Sequence, residues 1–295
     1  METKTPQLTA YDILGYLVPG LALFALIDLS IAFHFQRMPM RYEDVCMRYS
    51  TIKWQGAIPL VLLCYYVGHM ISFLSSMTIE RYARWRYGHP MNFLLDDSGE
   101  YPRFFGTGGK CPVWSKIFRF CTAFTIWPLW FWESALLVTG ILRNYVRSMG
   151  PQLVATVNEA LGWLREKAGI TVDSSPKYPS EFESLAINYT LESAPAHVHS
   201  LRNYIVLYGF IRSMTLVLVI ATWLLSLHVG WKLYSDGLSA CLSFGAFILT
   251  GMMGGIFCVI SYGAYLKFWT RYNREALMGL TAVYLKENAS HSFLP

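Results

Sequence analysis

Between residues 65 and 84 the sequence carries Tyr65, His69, Ser72, Ser76, Glu80 and Arg84 at steps of three and four residues. At about 100° per residue these side chains share one sector of roughly 120° on an α-helix. Leu63, Val67, Leu74 and Ile79 fall opposite. His69 makes the stripe a candidate for a pore-lining or proton-accessible face. Catalysis asks for more. No serine–base dyad, no H-E-x-x-H and no metal-ligand spacing accompanies His69, so no enzyme activity, cofactor or metal is expected. Two uses remain for the stripe. It could line a pore or proton pathway, or it could make interhelical hydrogen bonds that fix packing. In the packing reading, Glu80 and Arg84 form a plain i,i+4 pair on the helix surface.

Two further ionisable residues, Asp28 and Arg212, sit inside apolar runs, where charge is costly and needs a partner or a task. Counted from the middle of each run, they lie roughly 13 Å apart in depth, too far for a direct pair. Arg212 shares a level with His69 and can extend along its own helix. Asp28 lies toward the opposite face, near Arg37 and Arg41.

These positions acquire meaning from the elements that carry them. The chain has 295 residues, 54% hydrophobic and only 15% charged. Four runs, roughly 13–33, 56–76, 204–227 and 239–266, reach the length of about 20 apolar residues that crosses a bilayer. The first is too long for a signal peptide and lacks a small-residue cleavage site, so it is expected to be retained. Strand patterns and long repeats are absent. The expected fold is an all-α integral membrane protein with four transmembrane helices and a helical cytoplasmic region between spans two and three. Its parts are a two-span hairpin (1–76), a cytoplasmic or interfacial helical region (77–203), a second hairpin (204–266) and a cytoplasmic tail (267–295). Pro151 and Gly169 bracket an amphipathic helix over 151–168, and a further helix covers 181–193.

Charge sets the expected orientation. With four spans and a cytoplasmic N-terminus, eighteen Lys and Arg fall inside and five outside, as the positive-inside tendency requires. A fifth apolar run, 118–142, is interrupted by Pro128 and Glu133 and crowded with Trp127, Trp130 and Trp132. Counting it as a span reverses the charge bias, so it is expected to be interfacial, re-entrant, a core helix of the cytoplasmic region or buried in an oligomer, with a true span as the alternative. In the fourth span, Gly251, Gly254 and Gly255 have the small-xxx-small spacing that lets helix backbones approach closely. Asp12 is placed to cap the first helix, with a kink at Pro19-Gly20. The six cysteines form neither a C-x-x-C pair nor a disulfide framework. "GTGGK" at 106–110 lacks the P-loop spacing.

The tracts "YDILGYLVPG" (11–20), "GHMISFLSSMTIER" (68–81), "YGHPMNFLL" (87–95) and "LRNYIVLYGFIRSM" (201–214) resemble a loosely defined set of uncharacterised bacterial inner-membrane proteins, some of which travel with mobile or phage-defence genes. The resemblance implies a bacterial membrane component acting as an oligomeric effector, and it carries no catalytic residues. The functional expectation is a homo-oligomeric structural or pore-type component of the inner membrane, both termini cytoplasmic. Tyr65, His69, Ser72, Ser76, Glu80, Arg212 and Asp28 are the candidate pathway or latch residues. Its partners would be the lipid bilayer, further copies of itself and a protein bound through 77–203, with no nucleic acid. The alternatives are a solute or proton-coupled transporter using Asp28 and His69, an intramembrane enzyme with His69 or Glu80 as base, and a pure scaffold.

Overall fold

The structure is a computed structural model that describes residues 12–35, 53–95, 113–137, 145–170, 180–235 and 240–292. Of these residues 94% are helical and none is in a strand, and four helices are long and apolar enough to cross a membrane. The chain is an all-α membrane protein. The four windows lie in Ile13–Ile31, Gln55–Leu95, Pro195–Lys232 and Gly245–Ala289. The helices are α1 (Val18–Phe35), α2 (Trp54–Ser75), α3 (Arg81–Tyr87), α4 (Pro90–Leu95), α5 (Val113–Thr125), α6 (Trp127–Leu137), α7 (Pro151–Lys167), α8 (Ser180–Ser193), α9 (Pro195–Ser235) and α10 (Ala240–Ser292). Two π-turns, Ile13–Leu17 and Ser76–Glu80, lead into α1 and join α2 to α3.

The helix expected from Pro151 to Gly169 ends at Lys167, with Gly169 taking the left-handed conformation (φ +66) that glycine adopts without strain. The expected cap at Asp12 is corrected: its side chain makes no capping hydrogen bond, and its own backbone is already helical. Pro19 supplies a reason for the wide turn there. It has no N–H for the carbonyl of Gly15, and a π-turn tolerates that loss better than a regular α-turn.

The chain divides into two compact units. The first holds residues 1–80, 120–138 and 209–262, and the second 81–119, 139–208 and 263–295. The sequence-based boundaries at 76, 203 and 266 follow the ends of apolar runs, whereas the helices continue through them. At 1.5 Å per residue, the 41-residue α9 is about twice, and the 53-residue α10 more than two and a half times, as long as the ~30 Å hydrocarbon layer is thick. Residues 120–138, within the run read from sequence as interfacial or re-entrant, group with the first unit.

In the first unit, α1 and α2 meet backbone to backbone. A Cβ on Gly20 would lie 1.8 Å from the carbonyl oxygen of Cys64, and one on Gly68 would lie 1.8 Å from that of Tyr16. Only glycine fits at either place. Where α9 meets α10, Thr215 and Thr222 lie on one side. Gly254, Cys258 and Ser261 line the other. Thr215 and Ser261 hydroxyls lie 2.8 Å apart, and Gly254 leaves room for Thr222. Outward, Leu62, Phe73, Leu249 and Ile260 are exposed. In water such a surface would aggregate, and in a bilayer it faces lipid.

The second unit is tied by polar contacts between helices. His89 Nδ1 lies 2.8 Å from Glu183, His197 Nδ1 lies 2.8 Å from Glu275, and the Thr190 hydroxyl donates to the Ala276 carbonyl at 3.1 Å. Lys167 Nζ donates to Glu287 at 2.9 Å and to the Tyr189 hydroxyl at 3.1 Å, and it lies 4.7 Å from the centre of the Trp163 ring. The Glu287 hydrogen bond, followed by that to Tyr189, holds the ammonium above its ordinary pKa. With the folded value raised, this contribution is complete below the unfolded value of about 10.4 and disappears as pH rises through the folded one. Lys167→Met is therefore expected to lower the unfolding temperature slightly at pH 7–9. The gap to the parent protein should close at higher pH, as thermal melts across that range would show.

Candidate functional site

The polar residues of the first unit converge where α2 ends. The helix gives way after Ser75 to the π-turn Ser76–Glu80, an insertion of one residue that often marks a functional position. Glu80, the last residue of that turn, is only 9% exposed. Its carboxylate pairs with Nη1 of Arg212 on α9, and the two side chains are each 12% exposed. The Ser76 hydroxyl donates to the same carboxylate at 3.3 Å. Arg212 uses its other nitrogens as well: Nε donates to Ser75 Oγ at 3.2 Å and Nη2 to the Ser72 carbonyl at 3.4 Å. Ser75 is itself anchored to that carbonyl at 2.8 Å. One guanidinium thus engages a carboxylate, a hydroxyl and a backbone carbonyl, a use of its fixed fork of donors that lysine could not reproduce.

The burial of Glu80 departs from the surface position read from the sequence. Glu80 pairs with Arg212, 132 residues further along the chain. Of the candidate residues, Ser72, Ser76, Glu80 and Arg212 come together. Tyr65 and His69 belong to a different cluster. The His69 ring stacks on Tyr16 with centroids 3.7 Å apart, and Tyr65 meets it edge-on at 4.6 Å. His69 is nevertheless exposed, next to the Gly68 crossing. The stripe read on the ideal wheel therefore divides into an aromatic clip on the π-turn before α1 and an ionic clip on α9. Asp28 is half-buried on α1, and the partners expected for it, Arg37 and Arg41, lie outside the described residues.

The glycines of α10 meet helices of the same chain. Gly254 faces Thr222 on α9, while Gly251 and Gly255 face α6: a Cβ on Gly251 would lie 3.1 Å from Trp127, and one on Gly255 2.0 Å from Trp132. Sequence reasoning missed Ser75, Tyr16 and the hydroxyl seam of α9. The seam had a signal, the two hydroxyls at Thr215 and Thr222 seven residues apart in an apolar run; the Tyr16 stack had none. Buried Thr215 and Thr222 hydroxyls bond back to the carbonyls of Ile211 and Leu218, so they are satisfied within their own helix as well as across the seam. Among the described residues no group of three or more His, Cys, Asp or Glu could hold a metal ion. A groove in the second unit, lined by Leu191, Val198, Leu201, Arg202, Ile205 and Tyr272, is mainly apolar.

Fold and site together define a multi-pass helical membrane protein with a buried ion pair between its second and third spanning helices. No protein-family model, curated protein or solved structure matches the chain.

Proposed function

We propose that this protein is a pore-type component of a bacterial inner membrane, working as a homo-oligomer with both termini in the cytoplasm, and that Glu80 and Arg212 form the latch of its closed state. The observation that carries this reading is the buried Glu80–Arg212 pair on a π-turn. A salt bridge in a low-dielectric setting adds little net stability while intact, yet removing one partner is strongly unfavourable because a charge is left uncompensated. Such a contact is close to all-or-none, and that suits a two-state closure better than it suits a passive scaffold. A ligand or partner acting on residues 77–203 can reach Glu80 through the helix it terminates. Release of the pair would turn Ser72, Ser76, Glu80 and Arg212 from mutual partners into polar groups able to face water.

Ion flux from liposomes containing the purified protein tests this reading. Glu80→Gln and Arg212→Gln are each expected to raise leak at least tenfold over the parent protein at equal reconstitution. Leak equal to that of the parent in both variants, with the proteins folded, would contradict the latch.

A further inference from the structure

The segment 120–137 carries an inference that is independent of the latch. We propose that it is a re-entrant limb, which enters the bilayer, returns to the face it came from, and presents Phe120, Phe124 and Phe131 to lipid acyl chains.

The residues flanking the segment exclude a crossing. His89, before it, lies 2.8 Å from Glu183, after it, and the backbone N–H of Met149 donates to the Leu94 carbonyl at 3.0 Å. Residues 81–119 and 139–208 share one compact unit. A helix that crossed the ~30 Å hydrocarbon layer would hold these partners on opposite sides of it.

The segment is equally unlike an external helix, because it packs on apolar parts of two spanning helices. Trp127 lies at Gly251 and Trp132 at Gly255, so five residues along α6 match four along α10 and the two helices run side by side in one direction. The break between α5 and α6 is also built for an apolar medium. Pro128 lacks an N–H, and the N–H of Leu129 turns to the Ile126 carbonyl at 2.9 Å. The Thr125 carbonyl, which Leu129 would serve in an unbroken helix, accepts instead from Trp223 Nε1 at 2.8 Å. A helix break at membrane depth is tolerated where protein groups satisfy the freed backbone in this way.

The two faces of the segment differ in the sense that lipid requires. Glu133 and Leu129 are fully buried, while Phe120, Phe124 and Phe131 are 63%, 62% and 55% exposed. The three phenylalanines are exposed on a segment whose other side is seated on membrane helices, and acyl chains are the partner that matches such apolar side chains.

Cysteines placed at Lys116 and Arg147, both exposed, test the topology in the full-length protein. An impermeant maleimide applied to right-side-out and to inverted vesicles is expected to label both positions from the same side, in excess of the parent protein. Labelling from opposite sides would make the segment a span and overturn the proposal. A benzoyl-phenylalanine photocrosslinker in place of Phe124 or Phe131 is expected to yield phospholipid adducts. Crosslinking to a second copy of the chain, or to neither, would overturn the lipid contact.

Discussion

Arg212→Ala should destabilise the folded protein by about 3–5 kcal/mol, the range found when one partner of a buried ion pair is removed. The guanidinium serves the Glu80 carboxylate, the Ser75 hydroxyl and the Ser72 carbonyl together. Its loss leaves Glu80, 9% exposed, without that counter-charge. Glu80→Leu combined with Arg212→Met removes both charges and keeps the volume, and it is expected to fall within about 1–2 kcal/mol of the parent protein or above it. Denaturant unfolding in mild detergent separates the two. If the double variant were as unstable as Arg212→Ala, lost packing rather than an orphaned charge would be responsible.

Gly68→Ala should have an effect of comparable size for a different reason. The new methyl group would meet the Tyr16 carbonyl oxygen at 1.8 Å, and Gly20→Ala would meet that of Cys64 at the same distance. Backbone cannot rotate aside as a side chain can, so the two helices must separate. The cost should reach the upper end of the overpacking range, about 3 kcal/mol or more. Separation also parts Tyr16 from His69. Gly162→Ala in α7 is the informative contrast, since a Cβ there has nothing within 4 Å. That variant should gain roughly 0.5–1 kcal/mol from helix propensity alone. Melting curves of the three variants would show two large losses and one small gain; three similar losses would contradict the close approach.

The four spanning helices were legible because a stretch of about twenty apolar residues has few other uses. The limits of Pro151–Lys167 were legible because proline and glycine punctuate helices locally. The ion pair was not. The apolar run containing His69 fades near residue 76, which placed Glu80 outside the bundle. Hydropathy marks where lipid touches a helix, however, and not where the helix stops packing, and α2 leads through a π-turn into α3. The ideal 100° wheel also has no place for that widened turn. The depth estimate set Arg212 level with His69, yet its long side chain reaches Ser75 and Glu80. Gly20 and Gly68 lie in different helices and meet only in three dimensions, so no periodicity could pair them. The Trp223 cap on Thr125 joins residues 98 apart.

The buried pair gives the stripe around His69 a sharper meaning. His69 belongs to the contact that closes α1 on α2, and the ionic half of the stripe closes α2 on α9. The proposed latch needs a contact of the second sort, strong when complete and unfavourable when half-made. The most direct test is the leak of liposomes carrying the exchanged pair, Glu80→Arg with Arg212→Glu, beside the two single changes. If the mutual contact holds the closed state, each single change raises flux and the exchange returns it most of the way to the parent level. Flux in the exchanged protein equal to or above the sum of the single variants would contradict that claim.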